Sequence, residues 1–242
     1  TDGTANTAVG MQALVLVTGG DDNTAVGYLA GDAVSTGGGN TAIGKNALSA
    51  ASTTSYNTAV GLSALAVTTG TGNVAVGQSA LAANTSAAYN TAVGYSALGN
   101  NTDGTDNTGI GYKALNANTT TSDCTAVGDN ALLLSTAANN TAMGADAGMA
   151  VTTGTNNTFV GALSGDATDD GANNTAVGFY ALSSNCGDEN TACGSNALYA
   201  VTGGTNTGIG SGAGTSVTSG SNNLVLGYMA GRTGSPGGEI TT

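Results

Sequence analysis

A motif built on Asn-Thr-Ala-Val-Gly recurs every 16 or 17 residues along the whole 242-residue chain. A fixed period of this length is typical of a solenoid, in which each repeat stacks on the next. The motif begins at positions 6, 23, 40, 57, 73, 90, 107, 124, 140, 157, 174, 190, 206 and 223. The sequence therefore predicts one repeat array over residues 1–242, with about fourteen turns of 16–17 residues.

The fifth motif position is Gly in all fourteen copies. A requirement of this kind concerns the backbone, because Gly tolerates positive φ and close approach of a neighbouring segment. We expect these residues to form one column of a structural ladder. They are Gly10, Gly27, Gly44, Gly61, Gly77, Gly94, Gly111, Gly128, Gly144, Gly161, Gly178, Gly194, Gly210 and Gly227.

The first motif position is Asn in thirteen copies and Cys124 in the other. Stacked Asn side chains can hydrogen-bond along the solenoid axis, each amide donating to the next carbonyl. The alternative is that each Asn starts a turn by bonding to its own backbone. The predicted ladder contains Asn6, Asn23, Asn40, Asn57, Asn73, Asn90, Asn107, Asn140, Asn157, Asn174, Asn190, Asn206 and Asn223.

Two short strands per repeat are predicted, which makes the fold all-β: a parallel β-solenoid, or β-roll. One strand is expected through Asn-Thr-Ala-Val, where Thr and Val favour extended backbone, and one through Ala-Val-Thr stretches such as residues 66–69. The fourth motif position is always of medium size and apolar, as in Val9, Ile43 and Met143, so we expect it to point into the core. One repeat alone buries too little apolar surface to offset the entropy of ordering its backbone, so repeats must stack.

Both faces of the predicted strand carry small or apolar residues, which indicates a partner on the outer side. We therefore expect a homotrimer or a fibre of end-to-end stacked copies. Neither end carries a capping helix, and open solenoid ends recruit further strands. Pro236 is the one candidate edge blocker near the C-terminus.

The net charge of −12 excludes several partners, because the only cations are Lys45, Lys113 and Arg232. A nucleic-acid site needs several basic residues to contact phosphates, and an anionic membrane attracts basic ones. No run of eighteen apolar residues is present, so no membrane insertion is expected.

Chemistry-bearing motifs are sparse, and we expect neither enzymatic activity nor a cofactor. Residues 39–46 resemble a phosphate-binding loop, but Asn46 stands where Ser or Thr should bind Mg²⁺, and Gly44 already belongs to the Gly column. Acidic turns such as 21–22 and 169–170 offer oxygen ligands for Ca²⁺, with solvated turn residues as the alternative. Paired carboxylates could cut glycans, but the chain has no Trp to form a platform.

The cysteines do not form a spaced disulfide framework. Cys186 and Cys193 are seven residues apart, and we expect Cys193 to be a small core residue rather than half of a bridge.

Aromatic residues cluster in the sixth motif column. Such a column predicts a glycan-binding or lateral packing stripe, with isolated surface aromatics as the alternative. The stripe would contain Tyr28, Tyr95, Tyr112, Phe179 and Tyr228, of which Tyr95 and Tyr112 lie on adjacent turns.

The repeat seen in Gly104–Leu115 and Ala88–Leu98 resembles repeats of phage tail fibres and related bacterial surface proteins. It is also similar to the Ala-Ile-Gly head repeats of trimeric autotransporter adhesins, which are parallel β-rolls wound as trimers. The resemblance implies an extracellular location, self-association and a cell-surface glycan as a partner. We identify no segment within residues 1–242 that resembles the C-terminal self-cleaving chaperone domain that tail fibres often carry.

The sequence therefore predicts a structural protein: a tail-fibre shaft, an adhesin stalk or a self-assembling filament. The alternative is a surface-binding module, either ice-binding or glycan-binding. Thr occupies the second motif position in twelve copies, and this column could match a lattice if it faces water. Exposure of the Thr column is therefore the feature that discriminates the two hypotheses.

Overall fold

The computed structural model describes residues 3–231, which form short strands and turns without a helix. The chain divides into two compact units, Thr1–Asp123 and Cys124–Thr242. Both units are parallel β-solenoids, which confirms the predicted all-β fold. The single array over residues 1–242 stays a prediction, and Arg232 and Pro236 lie outside the described residues.

The unit Thr1–Asp123 contains seven strands of three residues each, and every strand begins at the second motif position. Neighbouring strands pair in parallel and in register, so that Thr24 lies opposite Thr41 and Ala25 opposite Ala42. The strands are β1 Thr7–Val9, β2 Thr24–Val26, β3 Thr41–Ile43, β4 Thr58–Val60, β5 Val74–Val76, β6 Thr91–Val93 and β7 Thr108–Ile110.

The unit Cys124–Thr242 repeats this arrangement with seven further strands. Its neighbouring strands also pair in parallel and in register, as in the contact of Thr158 with Thr175. The strands are β8 Thr125–Val127, β9 Thr141–Met143, β10 Thr158–Val160, β11 Thr175–Val177, β12 Thr191–Cys193, β13 Thr207–Ile209 and β14 Leu224–Leu226.

The third motif position, not the fourth, points into the core. Ala25 and Ala59 are fully buried, whereas Val26 and Ile43 are 37% and 39% exposed. The prediction that the fourth position points inward is therefore wrong. Side chains alternate along a strand, so the inward first position, an Asn that hydrogen-bonds to interior backbone, places the third position inside and the second and fourth outside.

Each turn has one strand, so the predicted second strand is also wrong: residues 66–69 form bends and loops. The chain turns instead through left-handed residues at the seventh and ninth positions, such as Ser96 with φ 51° and Leu98 with φ 49°. A left-handed Leu costs roughly 1–2 kcal/mol. Complete burial of Leu98 returns about 1.5–3 kcal/mol, which explains why this strained position keeps a Leu.

The third and ninth positions share one volume of the core. Phe159 replaces the usual Ala at the third position and is fully buried. Gly165 occupies the ninth position of the same repeat and Gly148 that of the preceding one, and a Cβ on Gly148 or Gly165 would lie 2.8 or 2.3 Å from the Phe159 ring. The large ring therefore fits because two Leu side chains are absent.

No helix within residues 3–231 has the length and apolar character needed to cross a membrane.

Candidate functional site: the outward face

The side chains at the second and fourth motif positions, which are the first and third residues of each strand, lie on one face of the sheet. No other part of the same unit covers this face, which we call the outward face. Within the described residues, none of the strands contains a charged side chain. In one unit the face consists of Thr7, Val9, Thr24, Val26, Thr41, Ile43, Thr58, Val60, Val74, Val76, Thr91, Val93, Thr108 and Ile110. In the other it consists of Thr125, Val127, Thr141, Met143, Thr158, Val160, Thr175, Val177, Thr191, Cys193, Thr207, Ile209, Leu224 and Leu226.

The outward face is partly apolar and open to solvent. Its Thr residues are mostly half-buried, because their strands pack side by side. The fourth-position residues reach exposed fractions of 38% at Ile110, 47% at Met143 and 45% at Ile209. A column of apolar side chains that is exposed at these turns and half-buried at others, such as Val76 and Val93, typically marks an interaction surface.

The Asn ladder fixes the strands from the inside. The Asn90 side-chain oxygen accepts the backbone N–H of Asn107 at 3.0 Å, and its Nδ2 donates to the Gly104 carbonyl at 2.9 Å. In the same way, Asn73 Oδ1 accepts both the backbone N–H and the Nδ2 of Asn90, at 3.0 and 3.3 Å. Asn73 and Asn90 thus each join their own turn to both adjacent turns, and the ladder side chains are buried in almost every copy.

The Gly column sets the spacing of the turns at the end of each strand. Gly94 has φ 133°, and a Cβ there would lie 2.3 Å from the carbonyl oxygen of Gly111 on the next turn. Gly44 packs in the same way on Gly61, with a Cβ-to-oxygen distance of 2.5 Å. The resemblance of residues 39–46 to a phosphate-binding loop is therefore explained by packing.

A second, buried Asn ladder was missed by the sequence reasoning. Asn118 Nδ2 donates to Asn101 Oδ1 at 3.3 Å, Asn101 Nδ2 to Asn84 Oδ1 at 3.3 Å, and Asn84 Nδ2 to Thr68 Oγ1 at 3.0 Å. All four side chains face the interior of the unit Thr1–Asp123. The spacing of 17 residues between these Asn residues was the signal that could have revealed this ladder.

The aromatic column does not form one continuous stripe. Tyr95 and Tyr112 stack with ring centroids 5.4 Å apart and planes 14° apart, as adjacent turns allow. Phe179 packs edge-on against the next residue of its own turn. Tyr28 and Tyr228 are 39% and 72% exposed. The structure thus brings together one pair of the five predicted residues and leaves the others at separate places in the two units.

The acidic side chains serve local hydrogen bonds. Asp21 Oδ1 accepts the backbone N–H and the hydroxyl of Thr4 at 2.6 and 2.9 Å, which lowers the pKa of Asp21. Burial raises the pKa of Asp166, whose carboxylate accepts a hydrogen bond from Ser183. Among the residues that the structure describes, no group of three or more His, Cys, Asp or Glu is placed to hold a metal ion.

The positions of the three cysteines correct one prediction. Cys193 is exposed on the outward face, so its assignment to the core is wrong for the same reason as for the rest of the fourth column. Cys124 and Cys186 are buried, and Cys124 Sγ donates to the Ala137 carbonyl at 3.2 Å in the place of a ladder Asn. Burial raises the pKa of the Cys186 thiol, which keeps it protonated.

No protein-family model matches the chain, and no curated protein or solved structure matches it either.

Proposed function

We propose that this chain is a structural protein that forms part of a rigid extracellular fibre: a tail-fibre shaft, an adhesin stalk or a self-assembling filament. The observation that carries the proposal is the in-register stacking within each unit, where strands, Asn side chains and Gly residues repeat the same contacts at every turn. A stack in which each turn is bonded to both neighbours resists bending and can be extended by adding turns.

Self-association is proposed to occur through the outward face, in a homotrimer or a closely packed fibre. The net charge of −12 makes contact between the acidic surfaces of two copies unfavourable. The outward strands are free of charge among the described residues and carry the exposed apolar column, so a second copy can cover them without burying a carboxylate. A cell-surface glycan remains the proposed external partner.

The test compares two substitutions at sites of equal exposure in the same unit. Ile43 is 39% exposed on the outward face, and Val67 is 42% exposed away from it. Sedimentation equilibrium and negative-stain microscopy should show oligomers or fibres for the native chain and for Val67→Lys, and monomers for Ile43→Lys. A monomeric native chain, or equal behaviour of the two variants, would contradict the proposal.

Ice binding is a second candidate, favoured by the exposure of the Thr column beside the apolar column. In β3 and β7 the second-position Thr is half-buried and the fourth-position Ile is exposed, so both side chains reach solvent. Strands spaced about 4.8 Å apart repeat hydroxyl and methyl groups at a fixed interval. A bare face of this regularity could order water or bind a crystal lattice.

Thermal hysteresis measurements test this candidate. Thr108→Leu removes a hydroxyl from the outward face, and Leu224 shows that Leu fits this position of the strand. Thr120→Leu changes an exposed Thr in a turn and serves as the control. Ice binding requires hysteresis in the native chain that Thr108→Leu lowers and Thr120→Leu keeps; a native chain without hysteresis would exclude it.

A further inference from the structure

Two tyrosine rings stack on neighbouring turns of the unit Thr1–Asp123, at the sixth motif position. Tyr95 and Tyr112 have ring centroids 5.4 Å apart and ring planes 14° apart. Nearly parallel rings in contact at about 3.5–4.0 Å must be displaced sideways by about 4 Å to give this centroid distance. The pair is therefore an offset stack, in which an edge of one ring lies beside an edge of the other.

The backbone holds the two tyrosines as neighbours. The N–H of Gly111 donates to the carbonyl of Val93 at 2.8 Å, and the N–H of Lys113 donates to the carbonyl of Tyr95 at 2.9 Å. These two bonds flank Tyr112 on both sides and keep it beside Tyr95 at the spacing of adjacent strands, about 4.8 Å. The rings therefore stay together for as long as the turns stay stacked.

Both rings are accessible to a small reagent, since Tyr95 is 45% exposed and Tyr112 is 47% exposed. Lys113 Nζ lies over the Tyr112 ring, 5.2 Å from its centroid, and this contact restricts the motion of the ring. Gln78 occupies the same motif position on the preceding turn, so the aromatic stack ends at Tyr95 on that side. A radical formed on either ring thus has one tyrosine within immediate reach.

We propose that Tyr95 and Tyr112 are a modification site, where a one-electron oxidant such as a haem peroxidase with hydrogen peroxide joins them as dityrosine. Each phenol loses one electron and its hydroxyl proton, which leaves a neutral radical with spin density on the carbons ortho to the oxygen. A carbon–carbon bond forms between one ortho carbon of each ring. The hydrogen on each of these carbons then moves as a proton to the phenoxyl oxygen, which restores both aromatic rings and both hydroxyls. The two electrons and two protons that leave the protein reduce one hydrogen peroxide to two water molecules.

The new bond joins two turns that are otherwise held by hydrogen bonds and packing. It closes the chain between Tyr95 and Tyr112 into a loop, and a cross-link of this kind restricts the unfolded chain. The two rings lie outside the strands of the outward face and belong to one chain. The modification therefore does not depend on the proposed self-association.

A second tyrosine pair, in the unit Cys124–Thr242, provides a matched comparison. Tyr180 and Tyr199 have ring centroids 5.9 Å apart, but their planes are 77° apart. In this contact the edge of one ring points at the face of the other, so the ortho carbons of the two rings do not lie edge to edge. Tyr180 also packs edge-on against Phe179 at 4.4 Å, which opposes its reorientation. We expect the bond to form between Tyr95 and Tyr112 and not between Tyr180 and Tyr199.

Peroxidase treatment of the full chain tests the proposal, with dityrosine fluorescence read from the bands of a denaturing gel and cross-linked peptides identified by mass spectrometry. Tyr95→Phe and Tyr112→Phe keep the ring and its stacking but remove the hydroxyl that is oxidised. Tyr180→Phe makes the same change in the edge-on pair and is the control. Circular dichroism checks that each variant stays folded.

We expect dityrosine fluorescence in the monomer band of the native chain and of Tyr180→Phe, and a peptide in which Tyr95 is joined to Tyr112 with the loss of two hydrogen atoms. The monomer-band fluorescence should fall at least about tenfold in Tyr95→Phe and Tyr112→Phe, because a radical held beside its partner couples much faster than one that must meet another chain. The proposal is overturned if the native monomer band contains no dityrosine, or if Tyr95→Phe retains it. Dityrosine confined to covalent dimers would also overturn it, while leaving association through the outward face untouched.

Discussion

Single residues set the closest contacts of this fold, and Gly94 is one of them. We expect Gly94→Ala to lower the free energy of unfolding by about 3 kcal/mol or more, since the new Cβ meets the Gly111 carbonyl and the backbone keeps φ 133°. Urea unfolding followed by circular dichroism measures this change. Gly19 is the control, because the nearest atom to a Cβ there is 4.0 Å away, and Gly19→Ala should change the stability by less than about 1 kcal/mol. Equal effects would show that the Gly column is not a packing requirement.

Two aspartates should respond to pH in opposite directions. Burial raises the pKa of Asp166 above its ordinary value of 3.8, so the folded chain binds this proton more tightly than the unfolded chain. Stability is therefore lost as the pH rises from below 3.8 through the raised pKa. We expect Asp166→Asn to increase the melting temperature at pH 7 and to have little effect at pH 3, as measured by calorimetry.

Asp103 provides the opposite case. Hydrogen bonds from the hydroxyls of Ser86 and Thr85 lower the pKa of Asp103, so the stability that Asp103 contributes is present at neutral pH and lost as the pH falls through the lowered pKa. Asp103→Asn should therefore decrease the melting temperature at pH 7. At low pH, the melting temperature of this variant should approach that of the native chain. The same sign for both variants at pH 7 would contradict these assignments.

At the scale of the element, the residues at the third and ninth motif positions must be substituted together, because they fill the same part of the core. Phe159→Ala should cost about 3–5 kcal/mol, because it leaves a cavity where two ninth-position Leu residues are already missing. Adding Gly148→Leu and Gly165→Leu restores the Ala–Leu combination of other turns, at φ values of 58° and 59° that Leu residues of the same column nearly share. A double-mutant cycle measures the coupling by urea unfolding, with Phe159→Ala as one change and the pair Gly148→Leu and Gly165→Leu as the other. If the two changes in the free energy of unfolding are additive, the residues do not share one volume.

The Asn ladder is interrupted at Cys124, which has no amide oxygen to accept the backbone N–H of Asn140. In the next turn Asn140 Oδ1 accepts the backbone N–H of Asn157 at 2.9 Å. We expect Cys124→Asn to raise the free energy of unfolding by about 1 kcal/mol through this added bond. Cys186→Ser, a change at a buried cysteine outside the ladder, should not stabilise the chain; a loss of stability in Cys124→Asn would contradict the ladder's role.

At the scale of the whole molecule, Cys193 reports whether the outward face is covered. It is the exposed one of the three cysteines and lies in the apolar column. If copies associate through this face, alkylation of Cys193 by iodoacetamide should slow at least about tenfold between dilute and concentrated protein. Cys124 and Cys186 are buried and should react only after unfolding, which provides an internal standard. A Cys193 rate independent of concentration would count against association through this face.

The repeat alone was enough to predict a parallel β-solenoid and to place its strands. The motif period located the fourteen strands of residues 3–231, because β-favouring Thr and Val recur between an Asn and a Gly, although the second strand predicted for each turn is absent there. The Gly column was also predictable, since a position that admits no other residue reflects a constraint on the backbone.

The tertiary structure alone decided which face of each strand is inside. Both faces carry small or apolar residues, so hydrophobic alternation could not choose between Ala25 and Val26. Hydrogen bonding made the choice: an Asn side chain that bonds to the backbone of adjoining turns must face inward, and Ala then follows it on the same face.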